Sequence, residues 1–79
     1  MPIALLHRVA RERLPFVVVR EEEIDFVRIL MLAGHLKAAI PPPITSPAGV
    51  VVDQPPAVVT AITPLGRRML RSFPLIKRR

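Results

Sequence analysis

The positions of the prolines constrain this chain more than any other feature. Proline has no backbone N–H and disfavours the helical conformation in the residue before it, so prolines mark where helices and strands begin and end. Of the ten prolines among the 79 residues, six lie with Gly49 in the segment 41–57. This density predicts an extended, partly polyproline loop over 41–57. The remaining four, which we place at helix boundaries, are Pro2, Pro15, Pro64 and Pro74.

Two short elements are predicted at the start of the chain. Apolar residues recur at helical spacing from Pro2 to Leu14, which indicates a first helix. Within this helix Arg8 and Glu12 lie four residues apart, so their side chains are expected to pair. The β-branched run Phe16–Val19 then predicts a strand of about four residues.

Four acidic residues head the central helix, where negative charge interacts favourably with the helix dipole. Ile24, Val27 and Leu30 fall on one face of this helix and are expected in the core. Ala33 is expected to extend the same buried face. Gly34 is expected to end the helix as a left-handed cap. The four acids are Glu21, Glu22, Glu23 and Asp25.

Two further strands are predicted on either side of the loop, at Leu36–Ile40 and Ala57–Ile62, because both segments are rich in apolar and β-branched residues. Prolines 41–43 halt the first of them, since proline cannot donate to a ladder. A brief strand is expected inside the loop at Val50–Val52.

The dipeptide Thr63-Pro64 predicts the start of a third helix. A threonine side chain caps a helix well, and proline is favoured at its first position. Leu65, Met69 and Phe73 are spaced by four and are expected to form the buried stripe of this helix. Its arginines fall on the other side, at Arg67, Arg68 and Arg71.

These elements give a small α+β domain with three helices and a two- to three-stranded antiparallel sheet, in an order that resembles the layout of winged-helix domains. The expected organisation is one domain over residues 1–73, with the loop 41–57 inside it, and a basic tail over 74–79. A chain of 79 residues buries only about 60% of its unfolded surface. This size excludes a barrel enzyme and a doubly wound nucleotide-binding sheet.

Positive charge is concentrated at the two ends of the chain. Twelve Lys and Arg against six Asp and Glu give a net charge of +6. If the terminal helices lie side by side, their basic residues form a phosphate-binding patch, for which binding is largely non-specific and strongly salt-dependent. The alternative is a basic face that only keeps an apolar domain soluble. The candidate nucleic-acid-binding residues are Arg8, Arg11, Arg13, Arg67, Arg68, Arg71, Lys77, Arg78 and Arg79.

The side chains that catalysis requires are too few in this sequence. It has no cysteine, and its only histidines are His7 and His35, whereas a metal site needs three or four ligands. The glycines are isolated, so no phosphate-cradling loop is predicted. We therefore expect no enzyme activity, no cofactor, no metal and no small-molecule substrate. His35 is expected at a helix end, where it hydrogen-bonds a carbonyl.

Membrane insertion is not predicted either. No apolar run approaches the roughly 18–20 residues of a membrane span. The first residues do not follow the pattern of a signal peptide, because the basic residues come after the short apolar stretch. We expect a cytoplasmic protein of bacterial type.

Two segments resemble those that flank the wing of winged helix-turn-helix regulators. Residues 32–36 (LAGHL) resemble the step that leads into the wing, and residues 60–70 (TAITPLGRRML) resemble the segment that leaves it in MarR-type and PadR-type regulators. The resemblance covers about residues 24–70 and implies a reduced winged-helix domain with one central helix, acting in DNA binding or transcription regulation. It also implies that Thr63 caps the last helix and that Gly66 lets this helix pack close to the sheet.

The surface with which such regulators read DNA is altered here. The equivalent helix carries acids and only Arg28 on its exposed side, and acids repel phosphate. The loop 41–57 has no basic residue and one acid, Asp53. Two hypotheses follow. In one, the protein binds double-stranded DNA through its terminal arginines. In the other, it is a protein-interaction module, in the simplest case a homodimer, that keeps the winged-helix frame without binding DNA.

Overall fold

The computed structural model describes residues 2–74. Over this range the chain forms an α+β domain with three helices and antiparallel sheets, as predicted. The tail residues 75–79 lie outside the described part. In chain order the elements are α1 (Pro2–Arg11), β1 (Phe16–Val18), α2 (Glu21–Leu32), β2 (Leu36–Ala39), β3 (Ile44–Thr45), β4 (Val51–Asp53), β5 (Ala57–Ile62) and α3 (Pro64–Ser72).

β5 is the central strand of a three-stranded antiparallel sheet with the order β1-β5-β2. Phe16 of β1 pairs with Val59, and Leu36 of β2 pairs with Ile62. The inward-facing residues Ala57, Val59 and Ile62 are buried. The strand predicted at Ala57–Ile62 is therefore β5, and it pairs with both the strand that precedes α2 and the strand that follows it.

The loop 41–57 contains a second, two-stranded antiparallel sheet made of β3 and β4. Gly49 has a φ of 84°, and its N–H donates to the Ser46 carbonyl at 2.8 Å, so the chain reverses between the strands. The strand predicted at Val50–Val52 begins one residue later. β3 is not predicted from the pattern because it has only two residues. The expectation of a mainly extended loop is thus only partly right.

The core is built from α1, α2 and the three-stranded sheet. Ile24, Val27 and Leu30 of α2 are buried, as predicted. Ala33 is exposed, contrary to the prediction, because it follows the last turn of α2 as its C-cap. The buried hydrophobic residues are Leu5, Leu6, Val9, Val18, Ile24, Val27, Leu30, Leu36, Ala57, Val59 and Ile62.

α1 ends at Arg11, three residues before the predicted end at Leu14. The N–H of Glu12 donates to the Val9 carbonyl at 3.0 Å, a bond three residues back that tightens the last turn. Leu14 is half-buried and packs against the core from outside the helix.

Gly34 ends α2 in the left-handed conformation, with a φ of 82°, as predicted. Its N–H donates to the Met31 carbonyl at 3.0 Å, and the N–H of His35 donates to the Leu30 carbonyl at 2.8 Å. These two bonds form a Schellman motif. The imidazole Nδ1 of His35 is buried without a partner among residues 2–74, so this nitrogen does not make the predicted bond to a carbonyl.

Thr63 caps α3 and also ties it to the end of α2. Its Oγ1 accepts from the N–H of Gly66 at 3.0 Å and donates to the carbonyl of Gly34 at 2.5 Å. Pro64 is the first residue of the helix, as predicted. The local cap fixes where α3 starts, and the bond to Gly34, 29 residues away in the chain, positions this start against the end of α2.

The face of α3 that packs inward differs from the predicted stripe. Leu65 is 46% exposed, Phe73 is 59% exposed and Met69 is half-buried. Gly66 is buried, and a Cβ atom there would lie 1.9 Å from the carbonyl oxygen of His35. The prediction of a buried Leu65, Met69 and Phe73 stripe is wrong because α3 makes its closest approach at Gly66.

Candidate nucleic-acid interface

α1 and α3, the two helices that carry the terminal arginines, are in contact. The Nε2–H of His7 donates to the carbonyl oxygen of Phe73 at 2.7 Å. Ile3 and Met69 line the same small groove between the helices. The two helices that carry the candidate phosphate-binding arginines are therefore adjacent.

Five of the predicted phosphate ligands are exposed, and none of them forms an ion pair within residues 2–74. Arg67 and Arg71 are four residues apart and therefore project from one side of α3. An arginine presents a planar fork of N–H donors that matches a phosphate group. The five residues are Arg11 and Arg13, at and just after the end of α1, and Arg67, Arg68 and Arg71 of α3.

Arg8 is engaged within the domain. Its guanidinium donates two hydrogen bonds to the Glu23 carboxylate, at 2.7 and 2.9 Å, and lies 5.8 Å from the centre of the Phe16 ring. This contact joins α1 to the first turn of α2. The predicted Arg8–Glu12 pair is wrong because Arg8 pairs with Glu23 instead. Lys77, Arg78 and Arg79 lie outside the described residues.

The Arg8–Glu23 pair makes stability depend on pH. The hydrogen bond from Arg8 holds the pKa of the Glu23 carboxyl below its ordinary value of 4.5. A carboxyl with a lowered folded-state pKa stabilises the fold above about pH 4.5, and this contribution is lost as pH falls through the folded-state pKa.

We therefore predict that E23Q costs at most about 1 kcal/mol at pH 7, because Arg8 is about half exposed to water. The deficit relative to the wild type should shrink towards pH 3, where Glu23 is protonated in the wild type too. Urea unfolding of both proteins at the two pH values measures it. A deficit that is equal at both would contradict the assignment.

The exposed side of α2 does not suit phosphate. Glu21, Glu22 and Asp25 are exposed, and the guanidinium of Arg28 donates to the Asp25 carboxylate at 2.7 Å. An open cleft of about 440 Å³ between α2 and the β3–β4 hairpin is lined by Glu21 and by one further carboxylate, Asp53, and by no arginine. The acidic character expected for this helix is therefore present on its surface.

The contacts that α1 makes with α2 and with the end of α3 cannot be predicted from the spacing of residues within one helix. Arg8 and Glu23 are 15 residues apart, and His7 and Phe73 are 66 apart. Pairing rules for one helix cannot find either contact. What the sequence does show of α3 is its composition, with three arginines and no acid, which is why these arginines are candidates.

Within residues 2–74 no helix is long and apolar enough to cross a membrane. The same range holds no group of three or more side chains that could bind a metal ion. In comparisons with protein-family models, curated proteins and solved structures, the chain gave no match.

Proposed function

We propose that this protein binds double-stranded DNA through its phosphates, using the exposed arginines of α1 and α3. The observation that carries the proposal is the contact between these two helices, because four arginines without ion-pair partners in residues 2–74 lie on them and a fifth, Arg13, follows the end of α1. The strand order β1-β5-β2, with α1 before it and α3 after it, supports a reduced winged-helix domain as the frame.

The binding should be insensitive to base sequence. Sequence is read by side chains that reach base edges in the grooves, whereas phosphate contacts only position the protein. The helix in the place of a reading helix, α2, has an acidic first turn with Glu21 and Glu22 exposed, and acids repel the duplex. Arginines on α1 and α3 therefore supply affinity without base recognition.

A fluorescence titration of labelled duplex DNA at about 50 and about 200 mM salt tests the proposal. Five phosphate contacts give a slope of about −4.5 for log K against log salt, so the association constant should fall about 500-fold over this range. Duplexes of unrelated sequence should bind with similar affinity. Absence of binding at the lower salt concentration would refute the proposal.

A further inference from the structure

Phe73 places a large aromatic side chain in water at the end of α3. The spacing pattern predicts this ring in the core, but it is 59% exposed. The sequence has three phenylalanines and no tryptophan or tyrosine, and the other two, Phe16 and Phe26, are half-buried and pack against the core. Phe73 is therefore the aromatic side chain that this domain offers to a ligand.

The backbone of Phe73 is held by a hydrogen bond at each of its polar groups. Its N–H donates to the Met69 carbonyl at 2.9 Å, and its carbonyl accepts from Nε2–H of His7 at 2.7 Å. Neither bond involves the ring, so the exposed side chain is carried on a fixed section of backbone. A group that is already positioned loses less conformational entropy when it binds a ligand.

The ring lies where α3 ends and α1 continues. Ile3 and Met69 line one groove between the two helices, and His7 contacts Phe73 four residues further along both of them. The helices therefore run side by side in the same direction over this stretch. α1 continues to Arg11, which is four residues beyond His7, about 6 Å further along the axis and on the same side of the helix.

Both helices carry an exposed arginine near this position. Arg11 ends α1, and Arg71 belongs to the last turn of α3, two residues before Phe73. Neither forms an ion pair within residues 2–74. A flat apolar ring beside two guanidinium groups matches a nucleic-acid strand, in which phosphates and bases alternate, because positive charge tracks the backbone while an aromatic side chain stacks a base.

An unpaired base suits this ring better than a paired one. In a duplex each base is stacked on its neighbours, so a paired base would first have to be unstacked, which costs free energy. An unpaired base has a free face. Stacking on an aromatic side chain also tolerates any base, which agrees with a surface that holds phosphates without reading sequence.

We propose that Phe73 stacks an unpaired base of a DNA strand whose phosphates are held by Arg11 and Arg71. This inference rests on the proposed DNA binding and names the form of DNA that the surface prefers, a duplex that continues into a single-stranded stretch. Stacking involves no net charge, so it adds affinity without making the salt dependence steeper.

Fluorescence titration of the full chain against three labelled duplexes tests the proposal. One duplex is blunt, one carries an overhang of about four nucleotides, and one carries the same overhang built from abasic sites. The abasic overhang has the same phosphates but no base to stack. The wild type should bind the overhang with bases at least about 5-fold more tightly than the abasic overhang. F73A should bind both overhangs equally and keep the wild-type affinity for the blunt duplex.

Two further substitutions separate stacking from apolar contact in general. F73L keeps an apolar side chain without a flat ring and should behave like F73A, whereas F73W should keep the wild-type preference. Phe73 is exposed and follows the last residue of α3, so these variants should keep the fold, which circular dichroism verifies. V52A is the matched control, because Val52 is 63% exposed on the separate β3–β4 hairpin, and it should change none of the affinities.

Equal binding of the two overhangs by the wild type would overturn the proposal, as would a preference that F73A or F73L retains. A loss of blunt-duplex affinity in F73A would also overturn it, since the ring would then act on paired DNA. All these results leave phosphate binding intact. A wild type that binds the overhang with bases but not the blunt duplex would instead refute the proposed duplex binding alone, and absence of binding to all three would refute both.

Discussion

Replacement of Gly66 by valine is expected to destabilise the domain by about 3 kcal/mol or more. A Cβ atom at this position would lie 1.9 Å from the carbonyl oxygen of His35 and 2.9 Å from Cγ2 of Ile62. The carbonyl belongs to the backbone and accepts a hydrogen bond from the N–H of Thr63 at 3.2 Å, so it cannot move aside without breaking this bond between the start of β2 and the cap of α3. Gly66 is buried, so a larger side chain at this position would have to enter the space occupied by these atoms.

Thermal unfolding followed by circular dichroism measures this effect. For a domain of this size each kcal/mol shifts the Tm by about 4–8 °C, so G66V should lower it by about 12–24 °C. S72V is the matched control, because Ser72 is an exposed residue of the same helix. The control should cost less than about 1 kcal/mol. A Tm for G66V within a few degrees of the control would contradict the close approach.

Removal of three arginines from the terminal helices is expected to weaken duplex binding at least about 100-fold at 0.1 M salt, because three phosphate contacts are lost. The variant is Arg11→Ala, Arg67→Ala and Arg71→Ala, at exposed positions that form no ion pair within residues 2–74. The substitutions leave the core untouched. Fluorescence titration against the duplex used for the wild type gives the comparison.

A second triple variant separates placement of charge from amount of charge. Arg20→Ala, Arg28→Ala and Lys37→Ala also removes three positive charges but leaves α1 and α3 intact. Two of these residues pair with carboxylates, Arg20 with Glu22 at 3.3 Å and Arg28 with Asp25 at 2.7 Å. This control should lose far less affinity. Equal losses in both variants would mean that only net charge matters.

The parts of the fold that the sequence predicts correctly are those with local causes. Thr63 and Pro64 fix the start of α3 because a side-chain oxygen and a restricted φ angle act within one turn. Gly34 ends α2 because it accepts a left-handed conformation that other residues avoid. The bounds of β5 follow from its β-branched run and the prolines around it.

The parts of the fold that the sequence does not predict depend on contacts between residues that are distant in the chain. The close packing of Gly66 against the sheet is implied by the resemblance and is present, since a Cβ atom there would meet the His35 carbonyl and the Ile62 side chain. The spacing of four nevertheless predicts the wrong buried stripe, because it does not show which side of α3 approaches the His35 carbonyl. Leu65 is consequently left half exposed. Arg8 pairs with Glu23 rather than Glu12 because α2 packs against α1. The same holds for the terminal arginines, since the sequence locates them but does not show the contact between their helices.

The salt dependence of duplex binding tests the assignment of the phosphate patch most directly. For the wild type and the Arg11, Arg67 and Arg71 variant, log K is measured against log salt concentration. Each removed phosphate contact should reduce the steepness by about 0.9, so the two slopes should differ by about 2.7. Parallel lines would show that these arginines do not touch the backbone and would contradict a DNA-binding surface on α1 and α3.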